Sequence, residues 1–474
     1  MAINIWMVTW NCELMAPSNQ TLQNSFLFED LRKRVVLGDQ SPPDLIVIAM
    51  QEANPAGNDG FIAKRVETYI NKLNINNPTI GQYKVLGEEY FKGKTKGHCF
   101  TYMGVLLRQS SNQQNNANLS IGIQGTRIVG SNPGKSLSAT RQFKISNLNQ
   151  GRFKDSKLSK PSFIQTKGGI YFTIEVDTND PDVIKNFGVR KQNNIRHFAF
   201  IGAHLDADNE TDRNRQIKKL LKGVTEAAGI DNPADNTAKL SSQLNKAFDA
   251  VFFMGDLNYR LGKNGQITSS TTVVDNSTTT IGEFPMHKSI SAIDMASIIA
   301  NPTYRLGLLK KMDSLEESPL SKDFKFIFPI PMQPNGNDVA FPSYKLDYGN
   351  DIGRACFSRL GEVLKLITNT DWTFTFDRSS NSTIPNTYQK LDQGSQSKAE
   401  SWKSIESLLE YCYFRENGSP TKIYDKDRKK YNLGWLDRIG YLASRPNAIS
   451  VKQCEPYYIL LSDHLPVILK VECR

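Results

Sequence analysis

Several signatures are missing from this 474-residue chain, and each absence removes a class of protein. No run of about eighteen apolar residues occurs, so no segment is expected to span a bilayer as a helix. The opening MAINIWMVTWNCEL has neither a basic n-region nor a small-residue cleavage site. It is expected to be a first strand and not a signal for the general secretory route. The six cysteines, at 12, 99, 356, 412, 454 and 473, form no CxxC pair and no metal-ligand spacing. That pattern points to free, partly buried thiols in a reducing compartment. There is no GxxxxGK(S/T) loop, so nucleoside-triphosphate chemistry of that type is not indicated. Internal repeats and a clear interdomain linker are also absent. Histidine is scarce, with five in all.

What is present is a globular composition, 39% hydrophobic and 22% charged, with ample material for a core. Length alone would suggest two or three domains. The net charge of +10 draws polyanions: nucleic acid, an anionic leaflet or a polyphosphorylated small molecule.

The most informative stretch is VFFMGDLNYRLG, residues 251–262. Four apolar residues closed by Gly255 read as a buried strand. Asp256 and Asn258 follow one residue apart, so both side chains can enter one cleft. The same pattern recurs along the chain. The apolar strand at 3–10 ends in Asn11, the run DLIVIAM at 44–50 is followed by Gln51 and Glu52, and the strand at 197–202 leads to His204. Asp463 and His464 precede the last strand at 466–471. Further strands are expected at 83–86, 101–107, 170–176, 324–328, 435–442 and 458–461. Helices are expected at 20–37, 62–73, 214–228, 295–312 and 401–414. Residues 109–118 read as a loop or hairpin tip, the stretch from there to 165 is polar and poorly patterned, and 266–280 reads as a loop or hairpin.

In a sheet protein strand ends converge on one rim, so these residues can build one site from distant parts of the chain. Their types suit phosphoester hydrolysis. A hard divalent cation needs oxygen ligands, which Glu52 can supply, and the cation offsets charge on the phosphoryl oxygens. A carboxylate or imidazole can align and activate a water, and an imidazole can donate to oxygens as charge develops.

TWN at 9–11, QE at 51–52, AHLDA at 203–207, FMGDLNYRLG at 253–262, WLDRI at 435–439 and SDHLPV at 462–467 resemble the endonuclease/exonuclease/phosphatase superfamily in order and spacing. Within it, NYR at 258–260, KGG at 167–169, FPSYK at 341–345 and WLDRI resemble the inositol polyphosphate 5-phosphatases. FFMGDLNYR nearly matches that branch's first signature, FWxGDxNYR. LGWLDRI keeps Trp435, Asp437, Arg438 and Ile439 of the second, PAWCDRI, but lacks its Pro-Ala and Cys. Ala203 stands where the family usually has Ser. These departures mark a divergent member. The resemblance spans residues 8–467, which implies one catalytic domain over 1–474 with insertions near 109–165, 263–340 and 347–430.

The resemblance implies an α/β fold, a four-layer α-β-β-α sandwich of two mainly antiparallel sheets flanked by helices. It implies that Glu52 binds one Mg2+ with Asn11 and Asp463 beside it. Asp256 would hold and activate the water, Asn258 would fix Asp256 and the phosphoryl group, and His204 and His464 would contact that group, with Asp437 holding the other nitrogen of His464. Whether an Asp or a His is the general base stays open. Lys167, Arg260, Tyr344, Lys345, Arg438 and a lysine of the DRKKY run, Lys430, would contact substrate, reading a phosphate next to the one removed. The implied activity is removal of the 5-phosphate from phosphoinositides or soluble inositol polyphosphates by a monomer, cytoplasmic and peripheral at an anionic membrane surface. The Asn-rich insertions are in line with a bacterial or protist protein acting in a host cell. The alternatives are a Mg2+-dependent nuclease on the same fold, which the basic charge would suit, a bacterial-type sphingomyelinase, and a catalytically inactive phosphoinositide-binding module.

Overall fold

In the computed structural model the described residues are 2–12, 42–53, 63–64, 66–68, 71, 81–92, 100–109, 144–154, 167–177, 195–207, 209–260, 271–274, 280–284, 313–329, 343–344, 355–357, 359–360, 362, 415–416, 419–420, 434–456 and 462–474. The helices expected at 20–37, 295–312 and 401–414, the strand at 458–461, Lys345 and Lys430 lie outside them.

Two six-stranded sheets organise the chain. The first contains β1 (Ile3–Asn11), β2 (Leu45–Ala53), β3 (Gln82–Lys92), β4 (Phe100–Gln109), β15 (Ile449–Pro456) and β16 (Val467–Cys473), in the order β15-β16-β1-β2-β4-β3. The second contains β5 (Lys144–Lys154), β6 (Gly168–Asp177), β7 (Ile195–His204), β8 (Ala250–Asp256), β11 (Lys325–Ile327) and β14 (Asp437–Ala443), in the order β11-β14-β8-β7-β6-β5. Each is antiparallel except for one central parallel pair, β1 with β2 and β7 with β8. Two small hairpins complete the strands among the described residues: β9 (Thr271–Val274) with β10 (Thr280–Phe284), and β12 (Arg415–Glu416) with β13 (Ser419–Pro420).

Strand periodicity sorts the apolar residues into layers. Ile3, Ile5, Met7, Val47 and Ala49 of the first sheet meet Phe172, Phe198, Phe200, Phe252 and Met254 of the second in one buried cluster. The intervening residues Trp6, Val8, Trp10, Ile46 and Ile48 face outward, where Ala63 and Val66 of a helical stretch cover them. The outer face of the second sheet, with Ile201, Val251 and Phe253, lies under α1 (Glu210–Ala227) and α2 (Thr237–Ala247) through Ile217, Leu220, Leu221, Val224, Leu240 and Leu244. Burial on both faces explains why these strands read as nearly continuous apolar runs. Asn209 and Asn236 cap the two helices, accepting from Thr211 N (2.9 Å) and Lys239 N (2.8 Å). The result is the expected α/β sandwich of two stacked sheets with helices outside.

Some elements differ from expectation. β3 and β4 run longer than the short strands read at 83–86 and 101–107. α2 and β15 were not anticipated, and β5 pairs along β6 from within the stretch read as unpatterned. Residues 266–280, read as a loop or hairpin, do hold the first strand of a hairpin. Among the described residues Cys12, Cys356, Cys454 and Cys473 are buried thiols.

Close approach of β7 and β8 demands a glycine. At Gly255, φ is +140° and an added Cβ would stand 1.9 Å from the Ala203 carbonyl oxygen. Gly229 is also left-handed, at φ +74°, but faces open space. Gly255→Ala should therefore destabilise by about 3 kcal/mol or more, and Gly229→Ala by about 1 kcal/mol, as measured by urea unfolding.

Candidate active site

The two parallel pairs end on the same rim. Asn11 and Gln51 are register partners at the ends of β1 and β2. His204 and Asp256 are register partners at the ends of β7 and β8. β14 runs the other way and begins at Asp437, opposite Asp256. His464 precedes β16 and bridges to Tyr344.

The side chains meet there. The Asn11 amide donates from Nδ2 to Asp256 Oδ2 (2.8 Å), and its backbone N–H donates to Asp437 Oδ1 (3.0 Å). Asp437 Oδ2 lies 2.6 Å from His464 Nδ1. His204 Nε2 is 3.3 Å from Asp256 Oδ2 and 3.7 Å from Glu52 Oε1, and it also contacts Lys167 Nζ. The backbone N–H of Asn258 donates to Asp256 Oδ1 (3.1 Å), while its side-chain amide donates to the Leu205 carbonyl (3.0 Å). His464 Nε2 is 3.7 Å from Asp463 Oδ1. Thus Asn11, Glu52, His204, Asp256, Asn258, Asp437, Asp463 and His464 form one connected group.

Local backbone geometry aims two of them. Glu52 has φ 48° and Asn258 φ 55°, both in the left-handed region. Asparagine tolerates it, but for glutamate it is uncommon. Strict alternation would send Glu52 outward with Met50. The irregular register of β2 against β4 between Met50 and Ala53, together with the left-handed φ, brings its carboxylate beside His204. Ser462, quoted in the sequence only within SDHLPV, pins the last loop: its hydroxyl donates to the Asn11 carbonyl (2.7 Å) and accepts from His464 N (3.2 Å). Trp10 Nε1 donates to the His464 carbonyl (3.1 Å). Neither residue had a chemical signal; the Ser-x-His spacing of a side-chain turn was the available hint.

Burial makes the charges strong. Asp256 is 2% exposed and His464 3%. Burial pushes the Asp256 carboxyl up, but the hydrogen bond with His204 and the charges of His464, His204 and Lys167 outweigh it and hold the pKa well below the carboxylate range. Burial alone would strip the proton from His464; the carboxylates of Asp437 and Asp463 prevail and lift its pKa to about 9.

Of the expected substrate contacts, Lys167 stands at His204, and Arg260 lies over the Tyr344 ring (4.8 Å) with its guanidinium 3.4 Å from Asn258 Oδ1. The Tyr344 ring is 4.5 Å from the His464 ring. Arg438 is not in this group, which corrects the expectation of a substrate contact. It is 1% exposed, forms an ion pair with Asp313, donates from Nε to the Trp435 carbonyl (2.8 Å) and stacks on Phe328 (4.4 Å). The reason is strand period: with Asp437 turned to the rim, its neighbour faces the other way.

Among the described residues no three His, Cys, Asp or Glu side chains gather as a closed metal cage. The donor set instead fits a hard divalent cation that keeps water ligands and takes one or two carboxylates. Glu52, 26% exposed, offers oxygens at the mouth of the group, and Asn11 at the end of β1 and Asp463 just before β16 add oxygen donors from the same sheet.

The profile of endonuclease/exonuclease/phosphatase family 2 matches residues 8–284, more than half of the sequence. The chain belongs to this family. The match takes in Asn11, Glu52, His204, Asp256 and Asn258 and ends before Asp437 and His464. Family enzymes typically depend on a divalent metal, and membership supports a phosphoester hydrolase. No curated protein matches the chain. Similar solved structures include the inositol polyphosphate 5-phosphatase domain of SPsynaptojanin in complex with inositol (1,4)-bisphosphate and a calcium ion, at 14% identity and TM-score 0.44, covering 100% of this chain and 84% of that one. Cimex nitrophorin is similar at 13% identity and TM-score 0.41, covering 100% and 98%. A family protein from Bacteroides thetaiotaomicron follows at 8% and 0.33, covering 100% and 96%.

Because Arg438 and Asp313 are both buried, removing one leaves the other uncompensated. Asp313→Ala should cost about 3–5 kcal/mol in denaturant unfolding. A substrate contact at Arg438 would instead give a raised KM with unchanged stability.

Proposed function

We propose that the protein is a Mg2+-dependent phosphomonoesterase that removes the 5-phosphate from phosphoinositides such as phosphatidylinositol 4,5-bisphosphate or 3,4,5-trisphosphate, and from soluble inositol polyphosphates. The observation that carries the reading is the meeting of Asn11, Glu52, His204, Asp256, Asn258, Asp437 and His464 at one rim. The 5-phosphatase assignment is supported by NYR and FPSYK in the sequence, by Tyr344 beside His464 and by Arg260 over the Tyr344 ring.

A bound Mg2+, held by Glu52 with Asn11 and Asp463 beside it, would supply offsetting charge at the phosphoryl oxygens. The remaining work falls to the chain. Asp256 accepts a hydrogen bond from the attacking water and orients it in line, its own two oxygens fixed by Asn11 and by the Asn258 amide. His464, kept protonated by Asp437 and Asp463, donates to a phosphoryl oxygen as charge develops. His204 donates from the other side. The water oxygen bonds to phosphorus as the bond to the inositol oxygen breaks; one of the water's protons ends on that inositol oxygen and the other leaves with the released hydrogen phosphate. Lys167, Arg260, Tyr344, Lys345 and Lys430 offer cations and a phenol to the neighbouring phosphate. One domain spans residues 1–474, and the protein acts as a cytoplasmic monomer peripheral to an anionic membrane. No helix among the described residues is long and apolar enough to cross one.

The test is phosphate release from a short-chain bisphosphorylated inositide, with Mg2+ and with chelator, beside a DNA substrate. Chelator, Glu52→Ala and His464→Ala should each lower kcat by about 10²–10⁴-fold. Lys345→Ala should weaken substrate handling and leave the unfolding midpoint unchanged. Release that survives Glu52→Ala and His464→Ala, or cleavage of DNA alone, would overturn the reading.

A further inference from the structure

The group above leaves one buried nitrogen unaccounted for. His204 is 0% exposed; its Nε2 faces Asp256, Glu52 and Lys167, while its Nδ1 has no hydrogen-bond partner among the described residues. A second buried nitrogen without a partner among them is Gln51 Nε2, on a residue that is also 0% exposed. One is a ring nitrogen able to accept and the other an amide able to donate. Buried polar atoms are seldom left unpaired, so a complementary pair in one place is informative.

Strand register places these two residues at matching positions on facing strands. Gly202 of β7 faces the first sheet: a Cβ built on it would lie 3.2 Å from Ala49 Cβ and 3.2 Å from Met103 Sδ. Two residues further along each strand, on the same faces, stand His204 and Gln51. The neighbouring pair across the same gap, Asn11 and Asp256, is already hydrogen bonded. Thr9 sets the orientation of the Gln51 amide, since its hydroxyl donates to Gln51 Oε1 (3.4 Å) and so leaves Nε2 for another partner.

The tautomer of His204 needs such a partner. Asp256 favours a proton on Nε2, but the Lys167 ammonium, a donor at the same nitrogen, favours a bare Nε2 with the proton on Nδ1. A donor aimed at Nδ1 decides the contest. We propose that Gln51 is a positioning residue for His204: its amide N–H, through one bridging water, caps Nδ1 and keeps the proton on Nε2, where His204 can donate. The catalytic consequence rests on the phosphomonoesterase reading; the tautomer does not.

The test uses the full chain labelled with ¹⁵N-histidine, free of metal, in long-range ¹⁵N–¹H correlation spectra. The chain has five histidines, and His204 is assigned by the loss of its signals in His204→Asn. The wild type should show a protonated Nε2 and a bare Nδ1. Gln51→Leu should move His204 to the Nδ1-protonated form or a mixture, and Thr9→Val, which frees the amide to turn, should do so in part. Gln51→Leu should also lower kcat about 10-fold with KM unchanged and with the Mg2+ concentration for half-activation unchanged, which separates it from a displaced Glu52. A wild-type His204 protonated on Nδ1 or on both nitrogens overturns the proposal, as does a folded Gln51→Leu with the wild-type spectrum. Should Gln51→Leu fail to fold, an unaltered spectrum in Thr9→Val overturns it. An inactive wild type would remove the phosphomonoesterase reading while the spectra still judged the role of Gln51.

Discussion

Asn11 ties the two sheets together. From the end of β1 it donates its backbone N–H to Asp437 and its amide to Asp256, both on the facing sheet. These bonds form only when the apolar layer between the sheets holds one relative placement, because contacts of 2.8 and 3.0 Å do not survive a slide of one residue. The stacking of Phe200 on Phe252 (5.3 Å) and the interleaving of Met7, Ala49 and Met103 with the second sheet fix that placement. Hydrophobic burial thus sets the distances at which the polar rim operates.

Much of this was legible in the sequence, for a physical reason. A buried strand that must end at a reactive rim shows an apolar run and then an abrupt polar residue, and that break marked Asn11, Glu52, His204, Asp256 and His464. Other features left weaker traces. β5 is an edge strand of KISNLNQGRFK, and its polar sequence becomes a strand only through the long partner β6. α2 carried a signal that was passed over: Asn236 as cap, then Leu240 and Leu244 one turn apart. Arg438 was misread because a family motif was followed where the strand period already placed it opposite to Asp437. Gln51 had been quoted beside Glu52 without a role, since no pattern in one strand reveals what faces it from another sheet.

The rim also shows how buried charge is tolerated. Asp256 carries two hydrogen-bond donors and adjacent cationic groups, and Asp437 meets both an amide and an imidazole. A carboxylate surrounded in this way keeps its charge out of water at a bearable cost. The same arrangement makes the members interdependent, so replacing one alters the proton affinity and orientation of the others.

The pairing of β1 has a consequence for how the molecule is made. Its partner on one side, β2, follows within some forty residues, but on the other side Ile3 meets Cys473. Until β16 has been synthesised, the Trp-rich N-terminal strand presents an open hydrogen-bonding margin, and His464 is not yet in place. Such a strand invites pairing with other chains. Nascent protein would need shielding on the ribosome, and refolding from denaturant should be slow and sensitive to concentration.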